Sequence, residues 1–163
     1  MLSNIPIITT NGSHVSRRAK IKNGGGGVSL GARCSVASEV ELHGDRAAIL
    51  LGADCILSTA SVLRPGEIGD MITVGARVHV GENSHVEARA LGDGVSIGNN
   101  SVLGSKSIIC ESASILAFTH LPPGTHVPPA TITMTPVRGG DAVVIATLPP
   151  SCARGLPRGW TLH

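Results

Sequence analysis

Seven histidines, four cysteines and eleven acidic side chains are the groups in this 163-residue chain able to hold a metal or carry a proton. A catalytic zinc needs three such ligands around an open fourth position, so that its bound water ionises near neutral pH. The cysteines, Cys34, Cys55, Cys110 and Cys152, show no Cys-x-x-Cys spacing. They read as reduced thiols of an intracellular protein. His79 and His85 lie six residues apart, as do His120 and His126. The run Gly24 to Gly27 is loose enough for a phosphate loop but brings neither a base nor the lysine such a loop uses. In His43-Gly44-Asp45 the imidazole has acid–base potential and Asp45 is able to orient a ligand. The same three residues also read as a turn, with Gly44 supplying an unusual dihedral and Asp45 a backbone cap, and that structural reading is preferred.

The elements that must position these groups follow from a repeat. Leu91, Ile97, Leu103, Ile109, Ile115, Leu121 and Val127 recur every six residues, each followed four positions later by a small or β-branched residue, Val95 to Thr131. Six is neither a helical nor a strand period; it fits a short strand plus a corner. Three units of about six close a triangular coil, and coils stack at the strand spacing of roughly 4.8 Å. The expected fold is all-β: a single-stranded parallel β-helix of hexapeptide repeats, of six to seven coils, with a short irregular C-terminal cap.

The register runs from Leu30 through Val36 and Leu42, steps nine residues to Leu51, and resumes through Leu57 and Leu63. It then steps five to Ile68, continues through Val74, Val80 and Val86, and steps five again to Leu91. Each of these seventeen positions is expected to point inward. His43-Gly44-Asp45 should bulge at a corner, and Cys34 and Cys55 fall at small inward positions. His79 and His85 then belong to different faces, as do His120 and His126, so neither pair converges on a metal unless a neighbouring subunit completes the site. The expected organisation is an N-terminal strand/loop segment and first coil over 1–29, the β-helix over 30–133, and a cap or tail over 134–163. Val143-Val144-Ile145 suits a strand lying along the prism, and Trp160 an anchor for the cap. Gly155, Pro157 and Gly159 argue against a long C-terminal helix.

Composition agrees with a narrow prism. One Phe, one Trp and no Tyr stand against 21 Gly, where a wider core would lean on aromatics. A net charge of +2 is too small to argue for nucleic acid. Arg17, Arg18, Lys20 and Lys22 read as a solvated face or coil corner before a partner site. Ile5-Pro6-Ile7-Ile8 is too short for a signal sequence. Residues 47–63 fall short of a membrane span and carry Asp54, Ser58, Thr59 and Ser61, so no membrane insertion is expected.

The irregularities carry a more specific likeness. Val15-Ser16-Arg17, His43-Gly44-Asp45 with its three-residue insertion, Ser61-Val62-Leu63-Arg64-Pro65, the short step from Glu87 to Leu91, Leu121-Pro122-Pro123, Val127-Pro128-Pro129 and Leu148-Pro149-Pro150-Ser151-Cys152 all match in type and spacing. From about Ser13 to Leu156 the chain resembles the dynactin subunit 5 family. Two parts depart from it: the loop after Arg64-Pro65 is shorter than in animal members, and the family's C-terminal helix is truncated or absent. The resemblance implies a left-handed coil and a non-catalytic scaffold of the dynactin pointed-end complex, in the cytoplasm and on the cytoskeleton, serving dynein-driven, microtubule-based transport. The implied partners are dynactin subunit 6, dynactin subunit 4, the pointed-end actin-related protein and dynein adaptors or cargo. No cofactor is implied. Outward candidates for contacts are Asp93, Asn99, Asn100, Lys106 and Glu111.

Two enzyme classes share hexapeptide repeats. The pattern is distantly similar to γ-class carbonic anhydrases, but the three positions of their zinc ligands hold Arg64, Glu82 and Glu87, and their active-site Gln-Asp pair corresponds to Ser58 and Thr59, with His43 in place of an Arg. A guanidinium stays protonated and does not coordinate zinc. Hexapeptide acyltransferases need a loop or neighbouring subunit to present a His base. Only His43 sits in a departure from register here. Acyl transfer is therefore the alternative to a scaffold, and carbonic anhydrase activity the more remote one.

Overall fold

A computed structural model describes residues 7–8, 11–22, 26–67, 69–135 and 143–147 of the chain. Short strands of two to five residues form three sheets, of nine, six and six strands. Successive strands visit the sheets in rotation, so the sheets are the three faces of a left-handed triangular prism of about six coils.

Each face has one column of inward side chains in parallel register. On the first face Val15, Val36, Leu57, Val80, Ile97, Ile115 and Thr133 stack. On the second, Ile21, Leu42, Leu63, Val86, Leu103 and Leu121 stack. On the third, Leu30, Leu51, Val74, Leu91, Ile109 and Val127 stack. Most of these are fully buried, and each inward aliphatic contributes on the order of 1.5–3 kcal/mol. The three columns and the corner residues between them, Val40, Val78 and Val95 among them, pack as one core cluster that contains no aromatic.

The expected assignment of Ile68 is corrected. Val74 pairs with Leu51 below and Leu91 above, so it holds the third-face position of its coil, and the chain travels from Leu63 to Val74 without visiting another face. Ile68 itself lies outside the described residues.

The corners show why small residues recur four places after the aliphatic. At the corner before the first face, Ser13, Cys34, Cys55, Val78, Val95, Ala113 and Thr131 are all buried. The Cys34 thiol reaches the Gly52 carbonyl at 3.0 Å and the Cys55 thiol that of Gly75 at 3.0 Å. Both are therefore core groups, as expected. One residue earlier the backbone is left-handed, at Asp54, Asn83, Asn100, Lys106 and Phe118 among others, with φ between 55° and 62°. Such a conformation costs a non-glycine residue about 1–2 kcal/mol. It is offset by an amide bond to the coil below, such as Asn100 N–H to Glu82 C=O at 2.8 Å.

Antiparallel strands close both ends of the first face: Ile7–Ile8 beside His14–Val15, and Val143–Thr147 beside Thr131–Met134. The C-terminal strand thus adds an antiparallel rung to the first face, with a register shift between Ile132 and Thr133. Trp160 and the residues around it lie outside the described residues. Among the described residues no helix is long and apolar enough to cross a membrane.

Candidate functional site

Four steps between inward residues depart from six: Ile21 to Leu30, Leu42 to Leu51, Leu63 to Val74, and Val86 to Leu91. All four fall at the corner between the second and third faces, in the first four coils. The last two coils turn the same corner in six, Leu103 to Ile109 and Leu121 to Val127. Extra residues preserve the stacking only by leaving the prism, so they build a ridge on this one edge.

The parts of the ridge are stitched together. In the second coil the bulge after His43 is closed by Arg46 N–H to His43 C=O at 3.4 Å. The Arg46 guanidinium donates to the carbonyls of Pro65 at 3.0 Å and Gly66 at 3.2 Å, and Gly69 N–H donates to Arg46 C=O at 3.2 Å. Bulge and loop therefore hold each other. Farther along, Glu67 pairs with Lys106 of the fifth coil at 3.6 Å, and a Cβ on Gly66 would stand 2.5 Å from Ser105 Cβ. The loop thus crosses the fourth coil, whose short step from Val86 to Leu91 leaves the space.

Gly44 serves this bulge differently from the expectation. Its φ is not among the left-handed ones; a Cβ there would stand 2.8 Å from the Gly27 backbone. Arg46, not Asp45, braces the turn.

A groove runs along each side of the ridge. On the second face, Glu41, His43, Val62, Arg64, His85 and Glu87 surround a cavity of about 210 Å³. Burial holds the His43 pKa below the ordinary imidazole value, helped by the cations Lys22 and Arg64 and opposed by Glu41 and Asp45. On the third face, Asp70, Met71, Thr73 and Arg89 line a second groove of about 410 Å³. The Asp70 Oδ2 atom is buried there without a hydrogen-bond partner.

Arg64 and Glu87 are brought together in the first groove, beside His43 and His85. Glu82 is not: it sits at the corner between the first and second faces, its amide donating to Asn99 Oδ1 at 2.8 Å. His79 and His85 occupy different faces, as do His120 and His126. His79 Nε2 lies 3.1 Å from Ser58 Oγ, and His126 Nε2 lies 3.5 Å from Cys110 Sγ. Among the described residues no three His, Cys, Asp or Glu side chains gather as metal ligands. Asp93, Asn99, Asn100, Lys106 and Glu111 are exposed, but Asp93 and Asn99 are occupied in accepting amides of the preceding coil, at 2.8 Å each. Sequence reasoning missed Arg46, Asp70 and Arg89. The available signal was Pro65-Gly66, a turn pair where a coil should continue.

The fold is similar to that of a hexapeptide transferase family protein from Anaplasma phagocytophilum, 19% identical with a TM-score of 0.65, over 85% of this chain and 81% of that one. It is similar also to LpxA from Acinetobacter baumannii, 17% identical with a TM-score of 0.66; 83% of this chain spans only 54% of that protein. At such identities the likeness is one of fold alone. No curated protein matches in sequence. A family model does, that of dynactin subunit 5, over residues 3–156. Covering the coils, the ridge-bearing corner and the C-terminal strand alike, that match places the chain in the dynactin subunit 5 family.

Proposed function

We propose that this chain is a non-catalytic scaffold subunit at the pointed end of dynactin, working in the cytoplasm on the cytoskeleton. In that role it supports dynein-driven, microtubule-based transport and the binding of adaptors or cargo. Its neighbours are dynactin subunit 6, dynactin subunit 4 and the pointed-end actin-related protein. The observation that carries the reading is the family match over residues 3–156. The shape is in keeping with it. A rigid prism presents preformed faces, so contacts form with little ordering cost, and the ridge marks one edge as distinct. Arg64 stands where zinc chemistry of the γ-carbonic-anhydrase kind would need an imidazole, and its guanidinium supplies no lone pair.

Affinity purification of the tagged chain from its source cells, with mass spectrometry and metal analysis of the eluate, tests this. Co-purification of dynactin subunits in fixed proportion is expected. Recovery of a homotrimer that binds coenzyme A, or of a zinc-loaded protein that hydrates carbon dioxide, would overturn it.

A further inference from the structure

On the second face the amides that point toward the next coil follow one pattern. The amide of the outward residue donates to the carbonyl that precedes the next outward residue: Lys20 to Val40 at 2.7 Å, Glu41 to Ser61 at 2.9 Å, Val62 to Ser84 at 2.8 Å, and Val102 to Thr119 at 2.8 Å. The amide after the inward residue donates to the next inward carbonyl: Arg64 to Val86 at 2.9 Å, Glu87 to Leu103 at 3.0 Å, Gly104 to Leu121 at 2.8 Å. Outward residues turn both N–H and C=O toward the next coil and inward residues turn both toward the coil before, so the last coil leaves the two groups of His120 facing out and the first coil leaves the two groups of Ile21 with the Ala19 carbonyl.

The C-terminal end is closed. His120 N–H donates to Thr135 Oγ1 at 2.8 Å, and the Thr135 hydroxyl turns back to the His120 carbonyl at 3.4 Å. The next amide that would point out belongs to residue 122, a proline, which has none. At the other end the same pattern aims the carbonyls of Ala19 and Ile21 out of the prism. The strand Lys20–Lys22 is the outermost of its sheet, and no described residue donates to either carbonyl. This end is open.

The open edge is also basic. Arg17, Arg18, Lys20 and Lys22 are exposed. Glu39 takes Arg18 at 2.8 Å and Lys20 at 3.9 Å, while Arg17 and Lys22 have no acidic partner within ion-pair reach among the described residues. A second copy of the chain does not fit. Its own open end repels this one, and its closed end offers Pro122 and an already satisfied His120. Lysines on an edge discourage pairing between like edges, and the same charge favours a strand of opposite sign.

We propose that the edge Lys20–Lys22 is a docking site for an extended acidic segment of a partner protein, which adds as a strand below the first coil. Its amides bond the Ala19 and Ile21 carbonyls, one of its carbonyls takes the Ile21 amide, and its carboxylates face Arg17 and Lys22. The mode is strand addition, in which main-chain bonds give affinity and side chains give selectivity. It stands independently of the dynactin reading.

The test is fluorescence anisotropy of the full chain with a labelled peptide of alternating glutamate and valine. Three comparisons accompany it: the same peptide with lysine for glutamate, the glutamate peptide with alternate amides N-methylated, and the double variant Lys20→Glu/Lys22→Glu. The glutamate peptide should bind. Affinity should fall on the order of tenfold or more with the charge reversal and with N-methylation, and the lysine peptide should not bind. If the double variant does not melt like the wild type, Arg17→Gln/Lys22→Gln replaces it. Failure of the glutamate peptide to bind, equal binding of the lysine peptide, or indifference to the charge variants overturns the proposal. Full binding of the N-methylated peptide also overturns it, since charge alone would then account for the affinity.

Discussion

At the residue scale the prism sorts its polar groups by whether a backbone carbonyl lies in reach. The Ser84 hydroxyl donates to Gly98 C=O at 2.8 Å and that of Ser101 to Leu116 C=O at 3.0 Å. Ser61, in the same corner column, is fully buried and its hydroxyl has no partner. An unpaired buried hydroxyl costs about 1–3 kcal/mol. Ser61→Ala should therefore leave stability unchanged or raise the melting temperature, whereas Ser101→Ala should lower it. Thiol reactivity follows the same logic. Burial raises the pKa of Cys55, and burial with the neighbouring Glu111 raises that of Cys110, so access decides: Cys34 and Cys55 are buried where Cys110 is partly open. Iodoacetamide on the native chain at mildly alkaline pH should label Cys110 and spare Cys34 and Cys55, as read by peptide mass mapping. His43 supplies a pH dependence. Its folded pKa is depressed, so the unfolded chain binds more protons in the window just below the ordinary imidazole value of about 6.5. Stability should fall as pH drops through that window. Replacing Arg64 with Ala, which removes one depressing cation, should raise the His43 pKa in an NMR titration.

At the element scale the ridge is a pair of loops that depend on one side chain. Arg46 ties the second-coil bulge to the third-coil loop through two carbonyls. Arg46→Ala should cost about 1–3 kcal/mol and speed amide exchange across residues 64–71 while leaving the last two coils protected. This element is also where sequence reading failed. Counting by sixes finds Ile68 five residues after Leu63 and takes it for a new face. A short step to the next face and a long detour to the same one place aliphatics at similar spacings. Only the pairing of Val74 with both Leu51 and Leu91 separates them. The nine-residue step at Leu42 and the five-residue step at Val86 were legible because the aliphatics beyond them resumed at once. Within the site, Arg64 and Glu87 were legible as positions; their meeting with His43 and His85 was not, because it depends on which coils stack.

At the scale of the whole molecule, stability is a sum of rungs, each resting on its neighbours. A central change should propagate. Ile97→Ala should cost about 2–5 kcal/mol through the cavity it leaves. Ile97→Asp should abolish soluble expression, since the column offers an isolated carboxylate no partner; a folded Asp variant would contradict the inward assignment. The closed and open ends of the second face extend the same argument to assembly, since a stack of unsatisfied rungs ends only where something terminates it. The sequence by itself determined the prism, because a strict six-residue alternation of aliphatic and small side chains has one way to bury both in a narrow core. It also determined the family, through irregularities that are local and therefore visible. Tertiary structure alone decided that all four irregular steps share one corner, that Arg46 joins two of them, and that among the described residues the second face has one sealed and one open edge. Those facts depend on which coil lies above which, and the stacking partner of a residue is set by the summed length of every corner between them.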